Sequence, residues 1–297
     1  MTEKHTTQQA TVEAFSFGDP VPVLEQWQSF YFGEANIFER WYTTPFDCDA
    51  LAKTMKASPH HSSPIYAKRN ILASTFIPHP LLSHREFCKL ALDYLTFGNA
   101  YVERVNAWSQ KPLKLNVPLA KYIRVGTDGQ TYYFVNNSIL KPYEYKGKDI
   151  CHLIEPDINQ EIYGCPEYLS ALNSVWLDES ATLFRRKYYI NGSHAGYIMY
   201  VNDAGANKDD IENMRDFWKI KDASRIDIAA AHRVPPQLMG ATPTNAGGFG
   251  DVAKAAKVFV INELQPLQKV MLQINDWLGE EVIRFEPYAL LDEDKVQ

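Results

Sequence analysis

His232-Arg233-Val234-Pro235-Pro236-Gln237-Leu238-Met239-Gly240 is the stretch whose reading decides the fold. A helical pattern leads into it, from Asp222 to Arg233, and cannot continue through it. Proline has no N–H to donate, and it pushes the residue before it out of the α region. The helix must therefore stop at the double proline. The next ten residues are Ala241, Thr242, Pro243, Thr244, Asn245, Ala246, Gly247, Gly248, Phe249 and Gly250, whose only large apolar side chain is Phe249. That is the composition of a loop. A second helical pattern starts near Asp251 and runs to about Leu278. It contains Asn262-Glu263-Leu264-Gln265-Pro266-Leu267, where Pro266 predicts a kink or break. Helix, rigid stop, pliable loop and helix together hold a mobile segment at a set place.

Upstream, Pro166 to Ile190 predicts a long amphipathic helix. Pro166 suits its first turn, and Leu169, Leu172, Trp176, Leu183 and Tyr188 fall near helical spacing. Asn191-Gly192 ends it. A short strand, Gly196–Val201, and a helix, Asp209–Lys219, lie between it and Asp222. Further upstream, Ser83 and Glu86 form a capping-box pair, Phe87, Leu90, Ala91, Tyr94 and Leu95 share one helical face, and Gly98 suits the C′ position. Strands are predicted at Ala100–Asn106, Lys121–Val125, Thr131–Val135 and Ile150–Ile154. Asp128-Gly129 between two of them predicts a hairpin of Tyr122–Val125 with Tyr132–Val135. Cys48–Met55 reads as a short helix and Ser58–Pro64 as a polar loop; periodicity does not decide Ile65–Thr75. Residues 1–20 read as disordered, and Val21–Tyr42 as an aromatic-rich buried or docking surface. The end after Tyr288 is acidic. The fold class is α+β, with helices dominating the second half.

Composition narrows the function. The chain has 297 residues, 45% of them hydrophobic, enough to bury a core. A net charge of −6 argues against a general nucleic-acid binder, which would be basic. It is compatible with a surface that DNA slides past. Cys48, Cys88, Cys151 and Cys165 are far apart and read as reduced thiols. Met1–Ala14 is polar and unlike a signal peptide, and no apolar run reaches membrane-spanning length.

Catalytic signals fail one by one. Gly247-Gly248-Phe249-Gly250 lacks the Lys-Ser/Thr of a phosphate loop and no strand precedes it. His60, His61, His79 and His84 lack metal-ligand spacing and read as solvated surface histidines; His152, His194 and His232 read as isolated and structural. Asp178 with Arg185, and Glu179 with Arg186, repeat at seven residues along one helix. They suit either a solvated, charge-balanced face or contacts between copies in a ring. No nucleophile elbow, cysteine-protease pattern or paired carboxylates are present. The expectation is no enzyme, no metal and no cofactor.

The Val234-Pro235-Pro236 turn with its loop, and the Glu263-Leu264-Gln265-Pro266-Leu267 helix, resemble the portal proteins of tailed bacteriophages. Phe184-Arg185-Arg186-Lys187-Tyr188-Tyr189-Ile190-Asn191-Gly192 and Tyr94-Leu95-Thr96-Phe97-Gly98-Asn99-Ala100-Tyr101-Val102 match the same family, in the same order. The resemblance runs from about Phe30 to Tyr288. It implies a dodecameric ring at one capsid vertex, in the virion after assembly in the host cytoplasm. Double-stranded DNA would pass through the ring, driven by a separate terminase. Major capsid and scaffold proteins would surround it, and head-completion or tail connector proteins would dock on it later, with no membrane involved.

Carried over by motif, residues 21–165 are the wing, 166–191 the first stem helix, with Arg185 and Arg186, and 222–240 the second, ended by Pro235 and Pro236. Residues 241–250 are the tunnel loop and 251–288 a wing or crown helix; 1–20 and 289–297 are tails. One departure stands out. Between the stem helices the family carries a folded clip of several strands and a helix. Here only 192–221 remains, several tens of residues short. That leaves a compact portal, or a portal-derived remnant or interfering variant that no longer docks the motor. A DNA-processing nuclease is a third reading, without the acidic cluster it would need.

Overall fold

Strand β1 (Asn99–Asn106) is the middle strand of a three-stranded sheet and is buried on both faces over its first half. The computed structural model describes residues 40–136, 142–159, 161–190, 223–239 and 252–288. The expectations for residues 1–20, most of the aromatic segment, 192–221, 241–250 and 289–297 fall outside the described residues, as do His194 and the Asn191-Gly192 helix end.

β1 pairs antiparallel with β2 (Pro112–Asn116) on one side and, beyond the hairpins that follow, with β6 (Ile150–Ile154) on the other. Side chains alternate across a strand. Ala100 and Val102 therefore face one core, and Tyr101 faces another. The first core lies under helices α2 (Pro59–Thr75) and α3 (His84–Phe97) and the C-terminal helix α7 (Gln265–Leu278), through Leu72, Phe87, Leu90, Met271 and Ile274. The second joins β1 to α1 (Cys48–Thr54) and to a small sheet of β3 (Ile123–Val125), β4 (Thr131–Phe134) and β5 (Tyr143–Lys146).

The capped helix and the hairpin form as the sequence predicts. Ser83 Oγ accepts from Glu86 N, and Gly98 closes α3 at φ 65°. The Glu86 carboxylate does not return to Ser83; it accepts from Val117 N and ties α3 to the end of β2. Ile123 pairs with Phe134 and Val125 with Tyr132. The connection is longer than a two-residue turn, and Asp128 holds it by accepting from Gln130 N, Thr131 N and Thr131 Oγ1. Strands β2 and β5 went unforeseen because Pro, Lys and Glu interrupt their apolar alternation.

Three expectations need correction. Ser58–Pro64 is no loop: Ser58 caps α2, which runs through it, with prolines Pro59 and Pro64 early in the helix. Proline is tolerated in the first turn, which holds Pro59, whereas Pro64 lies inside the helix. The Pro166–Ile190 segment opens with a 3-10 stretch, Glu167–Ala171, before the α-helix α4 (Leu172–Ile190). Leu183, expected on its buried face, is 52% exposed. The C-terminal helix does not break at Pro266. Helix α6 (Val252–Phe259) passes through a π turn, Val260–Leu264, into α7, with Pro266 in the first turn of α7. The wider π turn absorbs the missing N–H and the crowding of the ring.

Phe97-Gly98-Asn99 is a second fixed point. Asn99 Nδ2 donates to the carbonyls of Phe97 and Gly164, and its Oδ1 accepts from Gly164 N and sits 2.9 Å from His152 Nε2. Gly98 and Gly164 lie so close that a Cβ on Gly164 would strike the Gly98 carbonyl oxygen and the Glu155 backbone. Gly164→Ala is expected to destabilise the fold by about 1–3 kcal/mol, the usual range for overpacking. Urea unfolding of the variant beside the parent chain checks this.

Candidate functional site

Residues 240–251 are flanked by two stretches that the fold brings together. The helix before the loop, α5 (223–231), ends four residues short of Pro235, earlier than the sequence suggests. His232 N still donates to Ile228 O and Arg233 N to Ala230 O. Arg233 then takes φ 53°, in the left-handed region that a non-glycine residue adopts at a cost. That residue, rather than the prolines, turns the chain. Val234 is buried in the first core, Pro235 is half-buried and Pro236 exposed. A 3-10 turn, Pro236–Met239, follows, closed by Leu238 N on Pro235 O at 2.9 Å. The prolines fix the exit from that bend.

Four charges meet behind the bend. Lys68 of α2, with only 3% of its side chain exposed, lies 2.7 Å from Glu263 in the π turn and 3.2 Å from Glu167 at the start of the α4 segment. Arg233 reaches the same two carboxylates, 3.2 Å from Glu167 and 3.7 Å from Glu263. Two cations and two anions thus alternate, linking α2, the α4 entry, the bend and the long C-terminal helix. The π turn matters here, because it directs Glu263, 8% exposed, inward. Lys68–Glu263 is a buried pair, so losing either member strands the other charge. Arg233 is 59% exposed, and its two contacts are worth under about 1 kcal/mol each. Beside the cluster, Tyr94 donates to Glu155 at 2.6 Å. Burial pushes the Glu155 carboxyl up, Glu167 adds to that, and the Tyr94 hydrogen bond opposes it.

His61 and His232 adjoin this cluster and overturn their sequence reading. His61 is fully buried, not a surface histidine, and His232 is not isolated. His61 Nδ1 and His232 Nε2 are 2.9 Å apart, and the Tyr168 ring packs against both. His61 Nε2 has no hydrogen-bond partner among the described residues. A bare lone pair is less costly there than an orphaned N–H, which assigns the shared proton to His61 Nδ1. Burial holds His61 down to about 4 and His232 to about 2, with the neighbouring His61 and Lys68 charges adding to the second. Both rings are therefore neutral in neutral solution.

The arrangement clamps the two flanking stretches together. The cavity between Lys68, Glu155, Glu167, Tyr168 and His232 measures about 20 Å³, room for a single water. A larger groove of about 590 Å³ lies between Asp128–Thr131 and Lys146–Lys148. Its one carboxylate, Asp128, already accepts three hydrogen bonds. Among the described residues no His/Cys/Asp/Glu group could hold a metal, and no helix is long and apolar enough to cross a membrane.

The expected site residues scatter. Pro235 and Pro236 sit at the bend. Arg185 is half-buried and Arg186 exposed, both far along α4 from its 3-10 entry. Asp178 does not share a solvated face with Arg185: it is buried and accepts from Ser58 Oγ at 2.7 Å. That contact pins α4 to the positive N-terminus of α2. Ala241 to Gly250 lie outside the described residues. Sequence reading missed Lys68, Glu167, Glu263 and the histidine pair. Glu263 stood inside the quoted motif, and a charge among Leu264, Pro266 and Leu267 was the available signal.

No family model matches the chain. Curated relatives do. It is 48% identical to the "Probable portal protein" of Escherichia phage P2, over 94% of this chain and 92% of that protein. It is 30% identical to the protein of the same name from Haemophilus phage HP1 (strain HP1c1), over 78% and 80%. Among solved structures it superposes on a chain of the native gene transfer agent virion with TM-score 0.67 at 19% identity, covering 91% and 90%. It matches the neck of the native gene transfer agent particle computed with C12 symmetry with TM-score 0.64 at 19% identity, covering 85% of each chain. An HK97 family phage portal protein from Corynebacterium diphtheriae gives TM-score 0.55 at 15% identity, covering 82% and 96%. The chain belongs to the phage portal protein family. It is a portal subunit, with the mixed helical and stranded fold that the resemblance implied. The phage P2 match runs over 318 positions, whereas 94% of 297 residues is about 280, so roughly 40 positions of that relative have no counterpart here.

Two outcomes test the clamp. Lys68→Met should cost about 3–5 kcal/mol, the range for stranding a buried charge, and the double variant Lys68→Met/Glu263→Leu should recover much of it. A chemical-denaturation cycle checks both. The histidines act on pH dependence. Their folded pKa values lie below the unfolded value near 6.5, so the unfolded chain binds more protons as pH falls. Stability should drop from about pH 6.5 downward, by up to roughly 1.4 kcal/mol per unit for each ring. Asp93, buried and pushed up to about 7, works in the opposite direction. The histidine share is therefore read as the difference in slope between the parent chain and His61→Gln/His232→Gln.

Proposed function

We propose that twelve copies of this chain close a ring at the capsid vertex, and that loop 241–250 faces a channel through which double-stranded DNA enters and leaves. Residues 166–191 and 222–240 are the two stem helices, 251–288 the wing or crown helix, and 21–165 the wing. The ring assembles in the host cytoplasm beside major capsid and scaffold proteins, meets terminase, and later receives head-completion or tail connector proteins. It hydrolyses nothing; the motor is separate.

One observation carries this reading. The charge cluster fastens both flanks of the loop, Arg233 before it and Glu263 after it, to the same buried lysine of the wing or to the same carboxylates. Such a mounting lets a glycine-rich segment move while its anchors stay put. The loop itself carries no lysine or arginine, so it offers DNA phosphates no fixed cations to stall on. Membership in the portal family and superposition on neck chains of twelvefold symmetry support the ring.

The roughly 40 positions that the phage P2 protein has beyond this chain match in number the several tens of residues by which the clip at 192–221 falls short. They also favour a second reading, a portal-derived subunit that assembles but no longer docks the motor. Negative-stain electron microscopy with solution mass tests the ring: closed rings with a central channel are expected, and a monomer at every concentration overturns it. Replacing Gly247, Gly248 and Gly250 with alanine should leave rings intact and lower DNA packaging. Loss of assembly instead means the loop is assigned wrongly. Binding of purified terminase to the rings separates the working portal from the remnant.

A further inference from the structure

The small sheet β3–β4–β5 has two faces. Tyr132, Phe134 and Tyr145 turn inward to the second core. Side chains alternate across a strand, so Thr131, Tyr133, Glu144 and Lys146 turn outward. Tyr133 is nonetheless only 5% exposed. The chain before α1 covers it. The Trp41 ring lies 5.2 Å from the Tyr133 ring, centroid to centroid, and the Arg40 guanidinium stands 5.2 Å above it. Arg40 then reaches across to Glu144 of β5 at 2.7 Å. Backbone bonds hold this strip in place: Tyr42 N donates to Val125 O, and Thr127 N donates to Arg40 O. Tyr163 Oη completes the seam, accepting from Val125 N and donating to Tyr42 O.

The cover described so far stops at Arg40, and the outer face runs further. Next to the Tyr133–Glu144 pair lie Thr131 and Lys146, also paired across the sheet, and the groove of about 590 Å³ that they line. Lys146 and Lys148 are exposed and make no ion pair among the described residues. The carboxylates around them are taken: Glu144 by Arg40, Asp149 by Arg104, and Asp128 by three donors of its own turn. The groove thus holds two ammonium groups that no carboxylate contacts, and a segment of negative charge complements it.

The residues leading into Arg40 are Gly33-Glu34-Ala35-Asn36-Ile37-Phe38-Glu39, with two carboxylates and no cation. Their point of attachment is fixed. The Arg40 carbonyl sits on Thr127, the neighbour of Asp128 in the groove wall. Reach is sufficient. Lys146 stands two residues along β5 from Glu144, about 7 Å away. Residues 34–39, fully extended, span up to roughly 20 Å. The other acidic stretch, Asp292-Glu293-Asp294, follows Tyr288, which packs on the first core and not on this sheet.

We infer that residues 34–39 continue over the outer face of this sheet into the groove, where Glu34 and Glu39 meet Lys146 and Lys148 of the same chain. The strip begun by Trp41 and Arg40 then runs on, and the aromatic segment at 21–42 gains a seat on the subunit. This concerns the subunit alone and does not rest on the ring reading.

Zero-length coupling with a carbodiimide tests it in the full-length chain, because only a carboxylate in contact with an amine is joined. The surface ion pair Lys121–Asp49, 2.8 Å apart, is the internal standard. Peptides joining Glu34 or Glu39 to Lys146 or Lys148, in yield like that of the standard, are the expected result. The standard link alone overturns the proposal. So do links from Asp292, Glu293 or Asp294 to these lysines, which give the groove to the other end of the chain. An equal mixture of heavy-isotope and ordinary chains, assembled together, identifies whose segment is bound. Links between a heavy and a light chain give the groove to a neighbour and overturn the assignment to the same chain. In parallel, Lys146→Glu/Lys148→Glu should speed chymotryptic cleavage at Phe38 several-fold at an unchanged melting temperature. Adding Glu34→Lys/Glu39→Lys should restore the parent rate. A cleavage rate that the first variant leaves unchanged overturns the proposal as well.

Discussion

The contact on which the rest depends is the buried pair of Lys68 and Glu263. An ammonium group with 3% exposure is tolerable only beside a carboxylate, and the chain distorts to supply one. The π turn Val260–Leu264 is that distortion. It widens the C-terminal helix by one residue's worth of backbone just before Pro266, which relieves the proline and turns Glu263 inward in one step. A regular α-helix would leave a proline clash, and its phase would carry Glu263 away from Lys68. Backbone irregularity and buried charge are two sides of the same solution.

Once that pair is set, the parts around it have little freedom. Glu167 completes the lysine's shell and thereby fixes where the α4 segment begins. Arg233 closes the square from the solvent side, and its left-handed backbone turns the chain leaving α5 toward the first core, which Val234 enters. The neutral histidine pair fills the space behind the bend, where a charged ring would repel Lys68. The strength of the mount is uneven. Its inner bond is shielded from salt and solvent, while its outer Arg233 contacts are screened and weak.

Much of this fold was legible in the sequence, and the reasons are local. Ser83, Glu86 and Gly98 announce a helix by capping chemistry, and Asp128-Gly129 announces a hairpin, because each needs only its neighbours. Ser58-Pro59-His60-His61 misled because polar composition was read ahead of capping: a serine followed by proline is a helix start. His61 and His232 are 171 residues apart. Nothing local says that two histidines meet in a dry interior, and the same holds for Lys68 and Glu263. The double proline pointed to the right place for the wrong residue, since Arg233 makes the turn. Motif resemblance succeeded where pairwise contacts failed, because family motifs preserve those contacts without stating them.

Leu183 shows the other limit. Periodicity marks an apolar face and cannot say whether it packs within the subunit or against another. The fold buries Leu172, Val175, Asp178 and Ala181 on one side of α4 and leaves Leu177, Leu183 and Ile190 exposed. A helix that is anchored at one end by Asp178 and apolar in solvent at the other is a poor solution for an isolated chain and a good one for a ring.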